Sequence, residues 1–283
     1  MLEAATPHVL NGVAKGTPNM LLYPAPSQVV RAIDAAPLLA APSDPRNQGV
    51  YTADLPRTGI DQVGSANNRI IAGQVAQTNP GAVALLDDKD DEYCTATQIA
   101  PQWILTAWHC IYRVNPDDKT GPRIKRPPKG LRVGSLKFAS GGKFIKWSDI
   151  IINDNADMAV VKLAEPSNDT PLVTLSDETN YKVDDMMTAY GWGRYQGGDT
   201  PSSPDLKMAQ IKVYQVDGKD GHNGTAVVFK KGDGSPAPGD SGGPVFGQKG
   251  QVGVCSQSLM LGRLFSYSKI TAQRDWIRRT TGV

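Results

Sequence analysis

"GDGSPAPGDSGGPVFG", Gly232 to Gly247, is the stretch that decides how this chain is read. Its glycines let the backbone take positive φ angles and turn successive N–H groups toward one point. A nucleotide-binding loop is also rich in glycine, but it closes on Gly-Lys-Ser/Thr, and no lysine stands here. A serine, Ser241, lies inside Gly-Asp-Ser-Gly-Gly instead. A serine held on a tight turn between glycines exposes its Oγ beside N–H donors. Those are the needs of an acyl-transfer nucleophile with an oxyanion hole.

Such a serine needs a base, and the base needs a carboxylate to orient it. The chain has three histidines, His8, His109 and His222. His8 falls in an irregular N-terminal stretch and His222 in the hydrophilic turn "DGKDGHNG". His109, in "WILTAWHC", follows a strand-like apolar run, where a rigid scaffold can hold it. The carboxylate candidates are Asp154 and Asp157 in "NDNADMAVVKL". Asp157 directly precedes the apolar run and is the better placed for desolvation. Asp154 belongs to the turn before it.

Outward from these motifs, residues 70–283 alternate short apolar runs with turn clusters. The runs are "GAVALL", "TATQIA", "WILTA", "LRVGSLKF", "DMAVVKL", "PLVTLS", "MMTAYGW", "AQIKVYQV", "TAVVF", "GPVFG" and "VGVCSQ". Many short strands without helices between them predict an all-β sandwich or barrel rather than a parallel α/β fold. The C-terminal "TAQRDWIRRTTGV" reads as a short helix with Ala272, Trp276 and Ile277 on its packed face. Residues 1–69 are Pro- and Ala-rich and too broken to build a core. They read as an appendage, with one short helix expected in "SQVVRAIDAAPLLA".

The formal net charge of +2 points to neither nucleic acid nor an acidic tail. The basic run "RIKRPPKG" reads as a solvated loop. No apolar run approaches the ~20 residues of a membrane helix. The N-terminus carries no basic-then-apolar leader, so an extracytoplasmic protein would have lost its signal peptide before Met1. The acidic run Asp87 to Glu92 matches no Ca²⁺-loop spacing and reads as a solvated loop. Neither a metal nor a cofactor is expected. Cys94, Cys110 and Cys255 allow at most one internal bridge.

"LTAWHC", "ADMAVVKL" and "GDSGGP", in that order, resemble the signature blocks of the chymotrypsin/trypsin family of serine endopeptidases. "RIIAG" (Arg69 to Gly73) resembles the family's activation junction, "AYGWG" its Gly-Trp-Gly block, and "YSKITAQRDWI" its last strand and helix. The resemblance implies two six-stranded antiparallel β-barrels with the active site between them and a short C-terminal helix. It implies a pro-segment, 1–69, ahead of a protease domain, 70–283. Ser241 would be the nucleophile, His109 the general base and acid, Asp157 the orienting carboxylate, and Gly239 and Ser241 the oxyanion hole. Arg69, Ile70 and Asp240 would form the activation switch. Cys94 and Cys110 would form the bridge beside the histidine, which implies an oxidising compartment. Cys255 would be a buried free thiol.

The chain departs from the family's animal members in lacking the cysteine bridge that braces the specificity pocket, since Ala237 replaces one partner. Trp108 stands where a small residue is usual, and nothing in the sequence accounts for it. Ser235 at the pocket base is neutral and argues against strong Arg/Lys selectivity. Ser256, Ser258 and Phe265 would line the walls, with Gly262 a rival to Phe265. The implied protein is a monomeric, secreted zymogen acting on proteins or peptides, switched on by a protease that cuts after Arg69. It needs no nucleic acid or membrane. The alternative is a protease-like binding protein that has lost catalysis, which would keep its effect after Ser241→Ala.

Overall fold

The computed structural model describes residues 73–115, 117–194 and 201–283. The expected helix in "SQVVRAIDAAPLLA" and the Arg69–Ile70 junction lie outside them.

The first sheet is built from β2 (Ala82–Leu86), β3 (Glu92–Ala100), β4 (Trp103–Thr106), β7 (Gly130–Val133), β8 (Lys143–Ile145), β9 (Trp147–Ile152) and β10 (Ala159–Leu163). A two-residue β1 (Gln74–Val75) precedes it, and a small hairpin, β5 (Tyr112–Arg113) with β6 (Ile124–Lys125), lies to its side. The strands pair antiparallel in the order β8-β7-β2-β3-β4-β10-β9. The two edge strands are separated in sequence by Lys146 alone. Among the described residues no pairing joins these two edges, so the first sheet is a half-barrel, whereas the second sheet closes by hydrogen bonding. That sheet contains β11 (Met186–Gly191), β12 (Lys207–Lys219), β13 (Thr225–Lys231), β14 (Pro244–Gly247), β15 (Gly250–Leu259) and β16 (Leu264–Lys269). Its order is β12-β11-β14-β15-β16-β13, and β13 pairs back to β12, so six strands form a closed barrel.

The apolar run in β2 shows how the barrels come to sit together. All five residues are buried. Val83 and Leu85 enter the core of the first barrel. Ala82, Ala84 and Leu86, pointing the other way, pack with Trp192 and Leu206 from the second half of the chain. A strand with two buried faces loses the polar alternation of a surface strand and reads as a continuous run. β12 keeps the alternation: Ile211 and Val213 are buried while Lys212 and Tyr214 are not. Across the seam, Thr97 Oγ1 donates to Gln251 Oε1 at 2.9 Å and Thr95 N–H to the Ser241 carbonyl at 2.8 Å.

Helix α1 (Trp108–Ile111) is a single turn at the end of β4, and α2 (Ile270–Thr281) ends the chain. Gly282, at φ 81°, caps α2 by donating its N–H to the Arg278 carbonyl, as a left-handed cap does. The expected packed face is only partly right. Ile277 and Ile270 are the buried residues, Trp276 is half-buried, and Ala272 is exposed. "PLVTLS" is not a strand either; Leu175 makes one bridge to Gln251. "LRVGSLKF" leaves its strand at Gly134, where φ is 73°.

Candidate active site

The one-turn helix α1 carries His109 at the barrel seam. Its anchor is the bridge from Cys110 to Cys94 in β3, with an S–S distance of 2.02 Å and Cα atoms 6.1 Å apart. The expected pairing is therefore present. Asp157, just before β10, is 2% exposed and meets His109 twice. Its Oδ1 accepts the His109 backbone N–H at 2.9 Å, and its Oδ2 lies 2.8 Å from Nδ1. The same Oδ2 accepts the Ser256 hydroxyl at 2.5 Å. Burial pushes the Asp157 carboxyl up, but the charge and hydrogen bonds of His109 and the Ser256 hydroxyl outweigh it. The group sits below the usual carboxylate range. A carboxylate so held fixes the imidazole with its proton on Nδ1, which leaves Nε2 as the acceptor.

Ser241 lies on the Gly239–Gly243 turn that enters β14. Its carbonyl accepts the Thr95 N–H and sits 3.5 Å from Cys110 Sγ, so the turn is fastened beside the histidine's helix. Gly239 takes φ 105°, and a Cβ there would fall 2.8 Å from Gly193 Cα. Only glycine fits that position. Its carbonyl accepts the Thr95 hydroxyl at 3.0 Å. Among the described residues, the N–H groups of Gly239 and Ser241 donate to no protein acceptor.

Asp240 is buried at the seam, 3% exposed. Its oxygens accept the N–H groups of Gly193 and Ala237, each at 2.8 Å. Among the described residues no cation lies against it, and desolvation pushes its carboxyl up to about 6. Glu92 lies close by. It was expected in an exposed acidic loop, but it faces inward from the start of β3 and is 5% exposed. Among the described residues neither of its carboxylate oxygens meets a donor in good hydrogen-bond geometry, and burial holds its carboxyl well up against the nearby Ser202 and Thr95 hydroxyls. The rest of that run is a solvated turn, in which Asp87 Oδ1 accepts two backbone N–H groups and Asp90 pairs with Lys129.

A cavity of about 390 Å³ opens beside Ser241. Ser235, Ser256, Ser258 and Phe265 all line it, and Gly262 joins them, so the two candidates for the far wall are both present. Cys255 lines it too, its thiol pushed up by burial. No charged side chain does, among the described residues. A smaller space of about 130 Å³ beside His109 is bounded by Trp108, Arg123, Gly221 and Gln257.

The family description Trypsin matches residues 70–277. The chain belongs to the trypsin family. This trypsin-family chain is 27% identical over 199 residues to an uncharacterized peptidase of Corynebacterium glutamicum, which covers 67% of it. It spans only 64% of that relative's length. It is 24% identical over 246 residues to Trypsin 5G1 of Aedes aegypti, covering 77% of this chain and 87% of the mosquito protein. Among solved structures, human heparin binding protein superposes with a TM-score of 0.60 at 18% identity, over 75% of this chain and 96% of that one. Neuropsin, a serine protease of mouse brain, does so with 0.58 at 20% identity, over 71% and 94%. At such identities the structural likeness establishes the fold.

Several partners in this trypsin-family site carry no signal in the sequence. Ser256 was expected only as a pocket wall, yet it also touches Asp157. Trp108 is explained by its neighbours: it stacks on Tyr112 with ring centroids 5.0 Å apart, and the His222 ring packs against it at a tilt, 4.8 Å away. His222, expected in a plain hydrophilic turn, therefore packs at the rim of the site. Asp154 is exposed in the turn, as its position implied.

Proposed function

We propose that this chain is a serine endopeptidase in which Ser241, His109 and Asp157 act together. The contact that carries the reading is the double grip of Asp157 on His109. It sets the imidazole as an acceptor on the helix fastened beside the Ser241 turn, where the Gly239 and Ser241 N–H groups meet no protein acceptor among the described residues. His109 Nε2 takes the Ser241 hydroxyl proton as Oγ bonds to the substrate carbonyl carbon. The carbonyl oxygen becomes an oxyanion that accepts the N–H groups of Gly239 and Ser241. The C–N bond then breaks, His109 gives its proton to the leaving amine, and Ser241 carries the acyl group as an ester. Water, deprotonated by His109, attacks the ester and returns Ser241 to its starting form. The neutral cavity favours substrates with an uncharged, small to medium apolar side chain at the acyl position.

The reading includes activation. Cleavage after Arg69 frees the α-amino group of Ile70, which pairs with Asp240. The support is Asp240 itself, a buried carboxylate with backbone donors only among the described residues, whose cost a single cation would offset. Residues 1–69 are then a pro-segment, and the activator is a protease that cuts after arginine. The Cys94–Cys110 bridge favours an oxidising, extracytoplasmic setting. Among the described residues no helix is long and apolar enough to cross a membrane.

The test is labelling. Trypsin-cut protein exposed to a sulfonyl fluoride should gain one label at Ser241, read by peptide mass spectrometry, and should hydrolyse apolar peptide esters. Cut protein with an N-terminus at Ile70 that neither labels nor hydrolyses a broad ester panel defeats the proposal.

A further inference from the structure

The turn between β12 and β13, Asp220 to Gly224, belongs to the second barrel but is seated on the segment that delivers Asp157 from the first. Asp220 is 3% exposed and its carboxylate is saturated with donors. Oδ2 accepts the Asp157 N–H at 3.0 Å and the Ser268 hydroxyl at 2.8 Å. Oδ1 accepts the N–H groups of His222 at 2.9 Å and Gly224 at 2.7 Å. The turn lies so close that a Cβ on Gly224 would fall 2.8 Å from both Ala156 Cα and the Asn155 carbonyl oxygen.

Two further contacts lead from this turn to the reacting groups. Gly221 N–H donates to Ser256 Oγ at 2.8 Å, and Ser256 in turn donates to Asp157 Oδ2. His222 packs against Trp108, the residue before His109. The turn thus grips Asp157 at its backbone, grips the serine that shares its Oδ2, and braces the helix that holds the histidine. A buried carboxylate needs several charge-assisted donors to persist, and one placed here spends them on a neighbouring carboxylate's surroundings.

We propose that Asp220 is a positioning residue, which fixes Asp157 in the orientation that lets it hold the His109 imidazole. The inference rests on the functional reading above, in which Asp157 and His109 act on substrate. Asp220 itself touches neither substrate nor His109. Small displacements of an orienting group are costly, since a shift of ~1 Å can remove about a hundredfold in rate.

The test reads His109 directly and needs no activity. Its surroundings hold Asp157 and Asp220 from opposite barrels, His222 on the turn, and Arg123 across the small cavity. In the full-length chain, NMR titration of the imidazole carbons follows His109, assigned by its loss in a His109→Gln chain. Asp220→Asn should weaken proton binding at His109 about tenfold, moving its titration down by about one pH unit. In the activated enzyme the acid limb of the kcat/KM profile should move the same way. The kcat per labelled site should fall on the order of tenfold to a hundredfold while KM stays within about twofold.

Ser268→Ala removes one donor to Asp220 without changing charge, so a smaller shift of the same sign from it is positional. It also carries the test if Asp220→Asn does not fold. A folded Asp220→Asn chain with His109 titrating as in the parent overturns the inference, as does an unmoved His109 in Ser268→Ala where only that variant folds. If His109 shifts while the parent neither labels nor hydrolyses, the functional reading fails and the positioning role stands. If the parent is active and His109 does not move, the positioning role alone fails.

Discussion

Asp240 makes the uncut protein's stability depend on pH by an amount that follows from its burial. The carboxyl titrates at about 6 in the fold against an ordinary 3.8. A raised carboxyl binds its proton more tightly folded than unfolded. Its favourable contribution is complete below pH 3.8 and drains away as pH climbs through 6. The difference is worth about 3 kcal/mol, most of which falls between pH 4 and pH 8. Glu92 contributes a slope of the same sign, so the measurement belongs in a Glu92→Gln background. Asp240 keeps its shift there, because the shift comes from desolvation opposed by the Ala237 and Gly193 N–H groups. Urea unfolding of Glu92→Gln and of Glu92→Gln/Asp240→Asn across that range gives the difference directly. Asparagine loses one of the two backbone hydrogen bonds, which offsets the curves by a constant without changing their slope. The expected result is that the aspartate chain loses on the order of 2 kcal/mol relative to the asparagine chain from pH 4 to pH 8. A relative change under about 1 kcal/mol would refute the claim that Asp240 is an unpaired, desolvated acid.

Cleavage after Arg69 should abolish that slope, because the Ile70 amine would hold Asp240 charged. Thermal melts of cut and uncut protein at pH 8 should separate in favour of the cut form, and Arg69→Gln should block the change. Ser235→Asp places a carboxylate at the base of the neutral cavity. It should raise kcat/KM for arginine and lysine esters relative to apolar ones by at least about tenfold, measured on paired substrates. Replacing Cys94 and Cys110, 16 positions apart, by alanine opens the loop they close and should cost about 3 kcal/mol in urea unfolding.

The strands were legible because apolar runs of this length, broken by turn residues, fit few other structures. Ser241, His109 and Asp157 stand out as candidates because each lies inside a motif whose neighbours are constrained: glycines around the serine, an apolar strand before the histidine, another after the aspartate. The misreadings share one cause. Glu92 reads as the end of an acidic surface run, yet it begins a strand and the pleat turns it inward. Ala272 reads as part of an apolar stripe, but the barrel touches α2 around Ile270 and Ile277.

The sequence by itself determined the order of strands, the residues that can do acyl-transfer chemistry, and the cysteines able to bridge. Each of these depends on neighbours within a few positions. Only the tertiary structure decided what stands behind those residues. Asp157 and Asp220 are 63 positions apart and come from different barrels, yet 3.0 Å separates the N–H of one from the carboxylate of the other. Local patterns cannot encode such a contact, because it arises when two separate sheets meet along one seam. The same seam gives Trp108 its ring partners and leaves Asp240 buried among backbone donors, without a cation among the described residues.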